Sequence, residues 1–213
     1  MSLTRDELRG NLLRFTEAAF HLLPDMNHPR ILDIGCGSGV PTVRLLELSD
    51  GEVIGLDNDP RALAALKERA KARGVDHRLK IQLGSLDSIS FEDQSFDLLW
   101  CEGALRVLGF RDSLRGWRSL LRPGGYLVAH DEAGDTLEKL RTAEAEGYTV
   151  QGFFIVSEEV WWNEYYALAE ARLASGEDAD LPMGENAEIA QEIAFFRQNP
   201  QRSRSAFFVL KNG

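Results

Sequence analysis

Ile31-Leu32-Asp33-Ile34-Gly35-Cys36-Gly37-Ser38-Gly39 decides how this chain is read. Apolar Ile31, Leu32 and Ile34 bracket a single acid, Asp33, in the manner of a buried strand. Glycines then hold every second position, and Pro41 opens a helix-like run to Ser49. The order is strand, glycine turn, helix. A backbone without Cβ atoms can pass close to a ligand and can take positive φ. The helix start behind it offers free N–H groups to negative or polar atoms. A ligand held here would touch backbone more than side chains.

Outward from this stretch the pattern repeats. Glu52–Leu56 reads as a second strand, running into Asp57-Asn58-Asp59-Pro60. Asp59 and Pro60 are a good N-cap and first residue for a helix over Arg61–Arg73, which Gly74 ends. Asp57 stands at a strand end beyond the glycine turn, where doubly wound folds place an acid that accepts hydrogen bonds from ribose hydroxyls. Further strands are expected at Leu79–Leu83, Leu98–Cys101, Tyr126–His130, Tyr148–Val156 and Ala206–Leu210. Helices are expected at Arg111–Leu121, Thr136–Glu146, Glu158–Ala174 and Asn186–Gln198. Arg122-Pro123-Gly124-Gly125 reads as a sharp turn, and Ser175–Gly184 as an acidic loop. Ahead of the first strand, Thr4 and Glu7 form a capping box for a helix over residues 4–23, with Leu8, Leu12, Phe15, Ala19 and Leu22 on its apolar face. Its polar face carries Arg9, Arg14 and Glu17; an arginine there can reach a ligand carboxylate or simply be solvated.

Alternating strands and helices imply an α/β fold: a doubly wound, Rossmann-like sheet of seven strands, mostly parallel, with helices on both faces. One domain over residues 1–213 is expected, with a helical insertion at 158–198 between the last two strands. Hydrophobic residues make up 44% and charged residues 27%, as in globular domains. The net charge is −10, so phosphate neutralisation gains nothing and a nucleic-acid partner is disfavoured. No apolar run approaches the roughly 20 residues of a membrane span. The opening Met-Ser-Leu-Thr-Arg-Asp-Glu is polar and does not read as a secretory leader, so a cytoplasmic chain is expected, with Cys36 and Cys101 as reduced thiols. No Cys/His cluster has metal-ligand spacing, so no metal is expected.

The nicotinamide fingerprint Gly-x-Gly-x-x-Gly/Ala, laid on Gly35 and Gly37, requires Gly or Ala at position 40, which is Val. Asp33 followed by Gly35, Gly37 and Gly39 instead resembles the first motif of class I S-adenosylmethionine-dependent methyltransferases. Two later blocks are similar to the same family: Gly84-Ser85-Leu86 with Ile89-Ser90-Phe91 and Ser95-Phe96-Asp97, and Leu121-Arg122-Pro123-Gly124-Gly125-Tyr126. Within that family the chain looks most like small-molecule enzymes of the ubiquinone/menaquinone-biosynthesis type, which also carry Glu-Gly-Ala after the fourth strand, here Glu102-Gly103-Ala104. The family's last strand is antiparallel.

The resemblance implies S-adenosylmethionine as cofactor. It assigns the turn Gly35–Gly39, with Cys36 and Gly37, to the methionine portion and Asp33 to its ammonium group, Asp57 to the ribose, and Ser85 with Leu86 to the adenine, and counts Asn58 and Cys101 among the cofactor-binding residues. Many members have Asp where Ser85 stands, so Asp87 is a second candidate for the adenine amino group. Glu102 ends the fourth strand and His130 the fifth, at the carboxyl edge where open α/β sheets bind ligands. Both are candidate proton acceptors. Glu102 and Trp161 are candidate substrate contacts, the latter from the aromatic run Trp161–Tyr166. The expected reaction is methyl transfer to a small-molecule acceptor, with nicotinamide-dependent oxidoreduction or non-catalytic cofactor binding as alternatives. Nothing in the residues selects the acceptor or an oligomeric state.

Overall fold

The computed structural model describes residues 4–87, 89–175 and 185–213. Two short helices, α1 (Arg5–Gly10) and α2 (Leu13–Phe20), lead into β1 (Arg30–Ile34) and α3 (Val40–Leu48). The chain continues as β2 (Glu52–Asp57), α4 (Pro60–Ala72), β3 (Leu79–Leu83), β4 (Phe96–Glu102) and α5 (Phe110–Trp117). Then come β5 (Leu121–Glu132), α6 (Thr136–Ala145), β6 (Tyr148–Val156) and α7 (Glu158–Trp161). A π-helical turn, Trp162–Tyr166, joins α7 to α8 (Ala167–Ser175); α9 (Glu185–Gln198) and β7 (Ser205–Asn212) complete the order.

The seven strands form one sheet in the order β3-β2-β1-β4-β5-β7-β6. β1 pairs parallel with β2 and β4, β2 with β3, and β4 with β5. β7 lies antiparallel between β5 and β6. The order reverses between β1 and β4, where doubly wound sheets open a ligand crevice.

Two-residue alternation divides the apolar side chains between the faces. Leu32, Ile34, Leu99, Cys101, Leu127, Ala129 and Phe208 pack with Leu114, Trp117 and Ala143 of α5 and α6. Ile31, Leu98, Trp100, Val128, Phe207 and Val209 pack with Ala19, Leu45 and Leu46 of α2 and α3. Asp33, Glu102 and His130 fall on this second face by the same count. These three residues stand at or near the carboxyl ends of β1, β4 and β5.

Three expectations are corrected. The helix over residues 4–23 is two helices, because i→i+3 bonds from Asn11 N to Leu8 O and from Leu12 N to Arg9 O tighten the turn after Gly10. Asn11 Nδ2 then reaches the Glu164 carbonyl at 3.1 Å. The Arg122–Gly125 turn is a bulge at the start of β5: Phe96 pairs with Leu121, but Leu98 already pairs with Tyr126. The Glu158–Ala174 helix contains the π-turn, which sets Trp161, Tyr165 and Tyr166 edge to face against one another. The acidic loop expected at Ser175–Gly184 lies, beyond Ser175, outside the described residues. Elsewhere the signals hold: the Thr4/Glu7 capping box forms, and Asp59 caps α4 through the Arg61 N–H at 2.8 Å.

Candidate active site

The glycine turn after β1 is fixed by backbone bonds before any ligand is considered. Gly35 N and Cys36 N both donate to Leu56 O, at 2.8 and 3.0 Å. Gly37 N donates to Asp57 Oδ2 at 2.8 Å. The three glycines have φ of +73°, +54° and +80°, where side chains are strained. They differ in what surrounds them. A Cβ on Gly35 would stand 2.4 Å from Ala104 Cβ, and one on Gly39 2.1 Å from Leu66 Cδ1. A Cβ on Gly37 would meet nothing within 4 Å. Gly35 and Gly39 are thus demanded by packing, while Gly37 exposes bare backbone to open space. Gly103, across the switch point after β4, does the same at φ +81°. This open cradle fits a ligand held by main chain at the carboxyl edge of β1.

Asp33 stands beneath it, 2% exposed. Its Oδ2 accepts a 2.6 Å bond from Thr42 Oγ1. Burial pushes its carboxyl up to about 7, against the Thr42 bond, with Glu102 and Asp57 adding repulsion. A buried carboxyl poised near neutrality is suited to receiving a ligand cation. Asp57 is engaged at both oxygens: Oδ2 holds Gly37 N and Oδ1 holds Asp59 N at 2.9 Å. It ties the end of β2 to the glycine turn, and its remaining lone pairs can still accept from ligand hydroxyls. Asn58 and Ser85 are exposed; Leu86 is half-buried against the core, with its Cδ1 3.9 Å from where a Gly35 Cβ would stand. Cys36 and Cys101 are buried free thiols, and burial pushes both well above the usual thiol range. They are wall, not nucleophiles.

A cavity of about 570 Å³ opens from Asp33, Gly35 and Cys36 across the sheet edge and under α1 and α9. Its floor is a row of register partners: Glu102 beside His130 on β4 and β5, then Phe207 on β7. The His130 ring stacks 4.3 Å from that of Phe207, with Trp161 on the stack at 6.2 Å. Trp161 Nε1 donates to Ser205 Oγ at 2.9 Å, which leaves the ring face for the cavity. His130 Nε2 is buried with no hydrogen-bond partner among the described residues. Burial pulls this imidazole down to about 4, with Asp131 opposing and Arg9 and Lys139 reinforcing, so it is neutral at pH 7. Glu102 moves the opposite way. Burial raises its carboxyl, while donors from Trp100 Nε1 at 2.8 Å and Thr16 Oγ1 at 2.9 Å lower it. Both donors go to Oε1, and Oε2 is left for a ligand.

The structure brings Asp33, Gly35, Cys36, Glu102, His130 and Trp161 to one cavity; Asp57, Asn58, Ser85, Leu86 and Cys101 are not among its lining residues. Sequence reasoning missed Thr42 and Thr16. Each sits at an ordinary helix position, and only the fold shows what it faces. Among the described residues no helix is long and apolar enough to cross a membrane, and no group of His, Cys, Asp and Glu could hold a metal ion.

The fold is a Rossmann-like, seven-stranded and mostly parallel sheet with β7 antiparallel, and its candidate site lies at the carboxyl edge of β1. Residues 31–125, somewhat less than half of the chain, match the model of a methyltransferase-domain family. Methyltransferase GfsG of Streptomyces halstedii is 29% identical over 137 residues, 63% of this chain and 49% of that protein. The 27-O-demethylrifamycin SV methyltransferase of Amycolatopsis mediterranei is 31% identical over 119 residues, 55% of this chain and 44% of that protein. The chain thus spans about half the length of the curated relatives it matches. Among solved structures, the cyclase SpnF superposes with a TM-score of 0.76 at 21% identity, covering 93% of this chain and 80% of that one. A methyltransferase from Geobacter sulfurreducens, solved with S-adenosyl-L-homocysteine, gives 0.70 at 20% identity, covering 95% and 90%. These likenesses show the fold.

Proposed function

We propose that the chain transfers a methyl group from S-adenosylmethionine to a small-molecule acceptor. The observation that carries this reading is the glycine turn, with bare backbone at Gly37, above buried Asp33, where Asp33, Gly35 and Cys36 line the cavity floored by Glu102 and His130. A cyclase shares the fold, so the fold by itself does not decide the activity. The cofactor supplies an electrophilic methyl group on a sulfonium centre.

The residues divide the work by position. The turn Gly35–Gly39 takes the methionine portion, and Asp33 receives its ammonium group directly or through water. Asp57 and Asn58 serve the ribose, and Ser85, Leu86 and Cys101 border the adenine. Glu102 is the proton acceptor: burial raises its affinity for a proton, and Oε2 is available to an acceptor hydroxyl or amine. His130 is too weak a base at about 4 to hold that proton at pH 7. Its orphaned Nε2 instead orients the acceptor by hydrogen bond, and Trp161 covers the acceptor's flat face. The half-closed cavity excludes water and holds the reacting atoms in line. With a net charge of −10, the protein is read as cytoplasmic and without a nucleic-acid partner.

Calorimetric titration with S-adenosylmethionine and, separately, NADH tests the reading. Binding of the first alone is expected, with methyl transfer found in an acceptor screen; binding of NADH alone would replace the transferase with an oxidoreductase.

A further inference from the structure

The cavity is lined by charges of both signs, and most of them neutralise one another. Arg5 is paired with Glu188 and Glu192, Asp131 with Lys139 at 2.5 Å, and Arg204 with Glu158 at 3.5 Å. Asp33 and Glu102 are buried carboxyls whose proton affinity is raised. Two lining cations stand apart. Arg9 of α1 and Arg106, in the turn that follows Gly103, are exposed, and neither has a hydrogen bond or ion pair among the described residues. Arg202 lies over the Phe195 ring and likewise lacks an ion pair. Glu132 is the exposed lining carboxylate without a described cation; Asp33 and Glu102 also have none but are less exposed. On a chain of net charge −10, three exposed lining arginines without an ion pair, against one such exposed carboxylate, are contrary to the surroundings.

We infer that the acceptor carries an anionic group, a carboxylate or a phosphate, held by Arg9 and Arg106 at the mouth of the cavity while its apolar body lies on the His130–Phe207 floor. This rests on the methyl-transfer reading and deepens it. Arg9 acts on the acceptor side: its charge is felt by Glu102, His130 and Tyr166, which line the cavity. Arg106 is four residues beyond Glu102, in the turn after Gly103, and lines the same cavity. Guanidinium groups bind carboxylate and phosphate through two parallel N–H donors, so two exposed lining arginines without internal partners have donors to offer such a group. The floor offers stacked rings and one neutral imidazole, which suits a flat apolar body rather than a second charge.

The test uses the full chain, free and saturated with S-adenosyl-L-homocysteine, and four probes: benzoate, phenyl phosphate and their neutral counterparts benzamide and benzyl alcohol. Calorimetry is expected to give the anions at least tenfold tighter binding than the neutral pair, a preference that falls as salt rises. Arg9→Gln and Arg106→Gln are each expected to remove most of that preference without changing the affinity for S-adenosyl-L-homocysteine. Equal binding of benzoate and benzamide, no binding of either anion, or an anion preference that survives both substitutions would overturn the proposal. So would loss of S-adenosyl-L-homocysteine affinity in Arg9→Gln with the anion preference intact, since Arg9 would then serve the cofactor's own carboxylate. Failure of S-adenosyl-L-homocysteine to bind the unmodified chain would instead overturn the methyl-transfer reading, and the probe preference of the free chain separates the two failures.

Discussion

Replacing Asp33 with asparagine removes a charge from a nearly sealed position while keeping the side chain's shape. The aspartate carboxyl is 2% exposed and pushed up from 3.8 to about 7 by burial. The folded chain therefore keeps a proton between pH 4 and 7 that the unfolded chain has lost. Stability from this group is fully present below about pH 4 and is lost as pH rises through 7. Three decades of proton affinity at 1.36 kcal/mol each come to about 4 kcal/mol. Asparagine has no such proton, so the stability of Asp33→Asn relative to the unmodified chain is expected to grow from near zero at pH 4 to about 4 kcal/mol at pH 8. Urea unfolding followed by fluorescence of the four tryptophans, run on both chains at each pH, cancels every other titrating group. The same aspartate has the opposite effect on the cofactor. If the bound ammonium group requires the ionised carboxylate, affinity of the unmodified chain for S-adenosylmethionine rises about tenfold from pH 6 to 8 with proton release, and Asp33→Asn shows a weaker, flat profile. A stability difference between the two chains that does not change from pH 5 to 8 would refute the reasoning, because Asp33 would then be ionised throughout despite its burial.

Glu102→Gln is expected to lower the methyl-transfer rate by about 10²–10⁴-fold and to flatten the rising limb of its pH profile, checked by single-turnover kinetics. Thr16→Val removes one donor to the charged form of Glu102, so that limb should move to higher pH with little change in the plateau, checked in the same single-turnover profiles. Gly37→Ala is expected to cost about 1–2 kcal/mol for its positive φ, leaving a folded chain that binds S-adenosylmethionine poorly. Gly39→Ala meets Leu66 as well and is expected to cost about 2–5 kcal/mol in urea unfolding. Asp57→Ala should loosen the glycine turn and weaken cofactor affinity with the sheet intact, which near-ultraviolet circular dichroism and calorimetry would separate.

Much of this protein is written in local signals. The alternation of Tyr148–Val156 and the caps at Thr4 and Asp59 each depend on residues within a few positions, and each appears where the sequence puts it. The glycine turn is legible for the same reason, since strand, spacing and helix start lie in one run of residues. What could not be read locally lies where distant elements meet. The break between α1 and α2 is held in part by Asn11 reaching Glu164, and the bulge at the start of β5 is set by its pairing with β4.

The sequence by itself determined the parallel α/β sheet, the site at the carboxyl edge of β1, and the acids at the strand ends. Those follow from periodicity and turn chemistry, which act over short spans of chain. The tertiary structure alone decided the chemical character of those acids. Asp33 and Glu102 hold protons more tightly because the fold removes water from them, and His130 holds one less tightly for the same reason. The partners that tune Glu102 come from α2 and β4, and the arginines around it come from α1 and the turn beyond β4. Burial and field strength are sums over residues far apart in the chain, so they exist only once it has folded.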